Sequence, residues 1–95
     1  MTMTCQESVE IYENMTCEIF LNVYNPSAVL MVDFLQELKT EGYFLSSNPY
    51  KFSRYFKTAG NFTFKLSVTT KRVFTQTFWV NVLDSNKKNN FNFIS

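Results

Sequence analysis

Cys5 and Cys17 stand twelve positions apart in a chain of 95 residues that holds no other cysteine and no histidine. Without imidazole the commonest general base is missing, and no Ser or Cys has an activating partner in sight. Zinc would need four ligands, and two thiolates do not supply them. The pair reads as a disulfide that ties the N-terminal segment to the strand carrying Cys17; the alternative is two unrelated thiols, one of them in the core. Closing so short a loop would contribute about 3 kcal/mol in the chain-entropy account, a useful amount for a small exported domain. A bridge of the antibody type, between the second strand and one near the C-terminus, is excluded because no later strand contains cysteine.

Asn14-Met15-Thr16 and Asn61-Phe62-Thr63 are N-glycosylation acceptors, whereas Asn25-Pro26-Ser27 is blocked by its proline. Such triplets also arise by chance in a sequence rich in Asn and Thr. Together with the cysteine pair they lean toward an exported setting. The carboxylates offer two pairs, Glu37 with Glu41 and Asp33 with Asp84, but neither comes with a nucleophile or a substrate cleft. The expectation is a protein without catalytic activity, cofactor or metal site.

One stretch has a different chemistry. Tyr50-Lys51-Phe52-Ser53-Arg54-Tyr55-Phe56-Lys57 interleaves bases with aromatics, the composition that single-strand nucleic-acid binders use to stack bases and hold phosphates. It equally describes a strand with its aromatics buried and its lysines in water. The second reading is preferred, since the net charge is only +1 and the glycines of a nucleic-acid-binding signature are absent. A small nucleic-acid-binding barrel remains the alternative to the reading developed below.

The elements that must position these residues are strands. Hydrophobic residues make up 45% of the chain, with eleven Phe and five Tyr but only two Gly and two Pro, which provides a core and favours pleated strands over helices. Cys17, Ile19, Leu21 and Val23 alternate on one face after a weaker strand at Val9 and Ile11 and a turn at Glu13 and Asn14. Leu30, Val32 and Phe34 alternate next. Residues 35–49 are ambiguous between a helical turn and a strand with a loop. Tyr50, Phe52 and Arg54 define another strand, Phe62, Phe64, Leu66 and Val68 the clearest one, and Phe74, Phe78, Val80 and Val82 the last, with Gln76 its one polar member. No run of eighteen apolar residues is present, and the first residues do not form an export signal, which places any such signal upstream in a longer chain. Residues 1–41 carry seven of the eight acids and one of the nine bases, net −6, and residues 42–95 carry the rest, net +7. Acidic strands lying beside basic ones would satisfy that asymmetry internally.

The run KTAGNFTFKLSV, Lys57 to Val68, resembles a strand signature of polycystic kidney disease (PKD) domains: a glycine, an aromatic, then alternating aliphatics. Arg54-Tyr55-Phe56 takes the place of that family's His-x-Tyr, and Val32-Asp33-Phe34 that of its Trp-Asp-Phe. Leu35-Gln36-Glu37 departs from the Gly-Asp-Gly that usually follows, so a longer connection is expected there. The resemblance spans roughly residues 9–83. It implies an immunoglobulin-like β-sandwich of about seven antiparallel strands in two sheets, preceded by an N-terminal segment (1–8) and followed by a flexible polar tail (85–95). It further implies an extracellular adhesion or spacer module whose partners are proteins, neighbouring domains or glycans, with no nucleic acid and no direct membrane contact. On that plan Trp79 faces outward from the last strand, and Val29 and Met31 face outward from the third, forming a candidate contact patch unless a bulge turns Trp79 inward.

Overall fold

Strict alternation of apolar and polar residues leaves one face of each segment to be buried, and a two-layer stack of strands buries it. The computed structural model describes residues 1–35 and 39–85. Eight strands follow one another: β1 (Thr2–Cys5), β2 (Ser8–Glu10), β3 (Asn14–Phe20), β4 (Val29–Phe34), β5 (Lys39–Phe44), β6 (Tyr50–Tyr55), β7 (Gly60–Thr69) and β8 (Val73–Leu83). They form a three-stranded sheet in the order β1-β3-β6 and a five-stranded sheet in the order β2-β8-β7-β4-β5. The fold is an all-β sandwich.

Between the sheets lie Met15, Cys17 and Ile19 from β3, Leu30, Val32 and Phe34 from β4, Phe52 from β6, Phe64, Leu66 and Val68 from β7, and Val80 and Val82 from β8, all buried. Aromatic rings run through this layer: Phe34 stacks on Phe64 with centroids 5.3 Å apart, Phe64 on Phe78 at 5.8 Å, and Phe56 on Phe62 at 4.8 Å. Such contacts add to the stabilisation from area burial alone. The row predicted for β7 therefore sits at the centre of the molecule, with Phe62 half-buried at its start.

Three expectations are corrected. Residues 1–8 do not lie outside the sandwich: β1 pairs antiparallel with β3, and the chain then crosses to the other sheet, where β2 runs parallel to β8. This raises the strand count to eight and makes one pair parallel rather than antiparallel. Val23 is exposed, because β3 ends at Phe20 and the Asn48 side chain then occupies both backbone groups of Leu21, accepting from its N–H at 2.9 Å and donating to its carbonyl at 2.8 Å. The turn before β3 is centred on Tyr12, not on Glu13 and Asn14. Tyr12 has φ of 63°, and its amide donates to the Phe56 carbonyl.

The ambiguous segment resolves into β5, paired antiparallel with β4 from Val29↔Phe44 to Phe34↔Lys39. Of the connection between them, 36–38 lie outside the described residues, as does the tail beyond 85. Cross-strand neighbours take up much of the charge asymmetry: Glu18 lies opposite Lys51, Asp33 opposite Lys65, and Glu41 lies 3.8 Å from Arg54.

Candidate functional site

β1 and β3 pair in a register that places Cys5 directly opposite Cys17. The two are joined as a disulfide, with Cα atoms 4.0 Å apart. Cys17 is fully buried beside Met15, and Cys5 is half-buried at the sheet edge. The bridge pins the first strand to the middle strand of its sheet, and so fixes the point from which the chain crosses to β2.

Both glycan acceptors are exposed. Asn14 opens β3 opposite Tyr55, whose ring lies 6.3 Å from that of Tyr12. Asn61 is the second residue of β7, opposite Asn81 on the outer face of the five-stranded sheet. Neither asparagine is enclosed, so an attached sugar would meet solvent without rearrangement of the core.

Trp79 pairs with Thr63 in an unbroken β7–β8 register, and its side chain is 74% exposed. No bulge turns it inward. Met31 and Val29 share that outer face but do not join it in one patch. Met31 aligns with Ser67 and Thr75, four residues along the strands from the Thr63–Trp79 row, or about 13 Å. The Asp33–Lys65–Thr77 row lies between them. The patch predicted from sequence is therefore two separate features. Met31 is only 38% exposed because it lies over Gly42 of β5, where an added Cβ would come within 3.1 Å of its sulfur.

Two apolar residues that alternation did not single out complete the second feature. Phe44 (69% exposed) and Val73 (64%) close the cross-strand row Phe44–Val29–Thr69–Val73 at one end of the sheet. Phe44 escaped notice because the segment containing it had no readable period, and Val73 because it follows directly on the turn at Lys71 and Arg72.

Of the two carboxylate pairs, the described residues bear only on Asp33 with Asp84, which lie apart. Glu37 lies outside the described residues, and Asp33 aligns with Thr77, seven residues along β8 from Asp84. Among the described residues no group of three or more potential metal ligands is present. Glu41 instead accepts a hydrogen bond from the Tyr43 hydroxyl. That bond to a carboxylate, reinforced by burial, raises the Tyr43 phenol from its ordinary 10.0 to about 12. Beside it the Arg54 guanidinium lies 4.0 Å above the Phe34 ring. Both act where the edges of the two sheets meet, lining a cleft of about 470 Å³ with Phe52, Phe56 and Phe62. In the basic and aromatic stretch, Phe52 and Phe56 are buried and Lys51 and Lys57 exposed. Arg54 is thus engaged with protein groups on two sides.

No family model matches this sequence, no curated protein matches it, and no solved structure matches the fold. The molecule is a small two-sheet β-sandwich with a cross-strand disulfide and a mixed polar and apolar outer face.

Proposed function

We propose that the chain is a non-catalytic adhesion or spacer module in the extracellular part of a larger secreted or cell-surface protein. The observation that carries this reading is the Cys5–Cys17 bridge between directly opposed strand positions. Disulfides persist in oxidising compartments and are rare in reducing ones. The two exposed acceptors, Asn14 and Asn61, agree with the same setting. The chain's crossing from one sheet to the other between β1 and β2, with the orders β1-β3-β6 and β2-β8-β7-β4-β5, is compatible with the immunoglobulin-like plan that the PKD resemblance implies.

A sandwich of this kind works by stiffness and by surface. Its first strand is locked by the bridge, and its outer face presents Trp79 at one end and the Phe44–Val29–Val73 row at the other, surfaces suited to a neighbouring domain or a protein partner. The test is topological. An antibody raised against the folded domain labels intact, unpermeabilised cells of the source organism or their medium; labelling that requires permeabilisation would overturn the proposal.

A further inference from the structure

Among the described residues, part of β8 has no strand on its outer side. Among the described residues β2 pairs only with Asn81–Leu83, so from Val73 to Trp79 β8 is the edge of the five-stranded sheet. The direction of its backbone groups is fixed by the bonds at either end. The Asn81 amide donates away from β7 to the Glu7 carbonyl, the Leu83 carbonyl accepts from Ile11 on the same side, and the Arg72 carbonyl accepts from Thr70 across the hairpin. Odd-numbered residues of β8 therefore turn their N–H and C=O groups outward, and even-numbered ones turn theirs toward β7. No strand among the described residues pairs with the outward groups of Val73, Thr75, Thr77 and Trp79.

Edges of this kind are normally blunted by charge, proline or a bulge. The other long edges of the sandwich follow that rule, with Glu41 in β5 and Lys51 and Arg54 in β6. The β8 edge does not. From Val73 to Leu83 it has no charged residue and no proline, and its pairing with β7 is regular throughout.

The residues on this edge read nearly the same in both directions: Val73-Phe74-Thr75-Gln76-Thr77-Phe78-Trp79. We infer that β8 is a self-recognition edge, at which two copies of this chain pair antiparallel about a two-fold axis through Gln76 and join their five-stranded sheets into one of ten strands. In that register Thr75 faces Thr77 of the second copy, Phe74 faces Phe78, and Val73 faces Trp79. These are the cross-strand combinations that stabilise a sheet: Thr with Thr, aromatic with aromatic, β-branched with aromatic. The backbone agrees, because the opposed pairs with outward N–H and C=O groups are odd with odd, as an antiparallel ladder requires.

Two surroundings favour a second copy as the occupant. Inward of the edge a cleft of about 660 Å³ is lined by Met3 and Cys5 of β1 and by Gln76 and Phe78 of β8. Phe74, 42% exposed although it lies on the core side of its strand, would enter the partner's cleft beside Phe78. The same register carries the basic hairpin tip, Lys71 and Arg72, past Val80 to the start of β2, where the exposed acid is Glu7. An isologous contact of this kind closes on itself and stops at two.

The inference does not depend on the compartment proposed above, and its test is separate. The chain has a mass of 11.2 kDa, and light scattering coupled to gel filtration should give twice that at high micromolar concentration. Replacing Thr75→Lys and Thr77→Lys together sets like charges opposite each other and should give a monomer, whereas Thr75→Lys with Thr77→Glu sets opposite charges across the axis and should restore the dimer. Hydrogen exchange on the unaltered chain gives a readout that no substitution can confuse. The Thr75 and Thr77 amides should exchange at least about tenfold more slowly in concentrated than in dilute solution. A monomeric mass at every concentration, a double-lysine variant that still dimerises, or amide exchange independent of concentration would each overturn it.

Discussion

Replacing Phe64 by alanine should cost more than any other single aromatic truncation on β7. The side chain is fully buried, with Phe34 stacked on one side at 5.3 Å and Phe78 on the other at 5.8 Å. Both neighbours are held in strands that pair with β7, at Phe34↔Phe64 and Phe64↔Phe78, so neither can collapse into the space without bending the sheet. The cost should therefore fall in the range for buried Phe→Ala, about 3–5 kcal/mol. A domain of this length has a total stability of roughly 5–14 kcal/mol, so the variant should fold but with little to spare. At a urea slope of about 1.5 kcal/mol/M the unfolding midpoint should fall by roughly 2–3 M. The control is Phe44→Ala, on the outer face and 69% exposed, which should change stability by less than about 1 kcal/mol. If the two substitutions cost the same, the β7 row does not hold the layers together.

Further outcomes follow from single positions. Gly60, with φ of 141°, should lose about 1–2 kcal/mol as Gly60→Ala in the same urea titration; its added Cβ meets nothing closer than Phe62 at 3.9 Å, so the loss comes from the backbone conformation. Asn48→Ala should cost about 1–3 kcal/mol, because it leaves both the N–H and the C=O of Leu21 without their partner; thermal melting measures it. Tyr43 should titrate well above the ordinary phenol value of 10.0 by phenolate absorbance, and Glu41→Gln should bring it back down. Because its folded pKa is raised, the stabilisation linked to Tyr43 is complete below pH 10 and is lost as pH rises through about 12.

Legibility from sequence followed the physics of alternation. β3 and β7 each carry three or more apolar residues at a spacing of two with polar residues between them, and β4 does so with Met31 and Asp33 between; the inward faces of β4 and β7 are those expected, while β3 buries Cys17 and Ile19 as expected but ends before Val23. β5 was opaque because Lys39–Phe44 holds a glycine and a glutamate and owes its strand state to pairing with β4 rather than to its own pattern. The first ten residues hid their arrangement for another reason: β1 and β2 are four and three residues long, too short for a period to show, and they belong to different sheets. Of the candidate site, the cysteine bridge and the outward turn of Trp79 each match one of two readings that spacing and alternation leave open. The separation of Trp79 from Met31 could not be read from them, since it depends on the register of three strands. Nor could the Glu41–Tyr43–Arg54 cluster, which forms where the edges of two sheets approach.

The state of the two sulfurs in the protein as its own cells make it decides between a bridged and an open first strand. Peptide mapping of native material, alkylated without reductant, should recover the Cys5 and Cys17 fragments covalently joined and separable only after reduction. Recovery of both cysteines already alkylated before any reductant is added would contradict the bridge, and with it the extracellular placement built upon it.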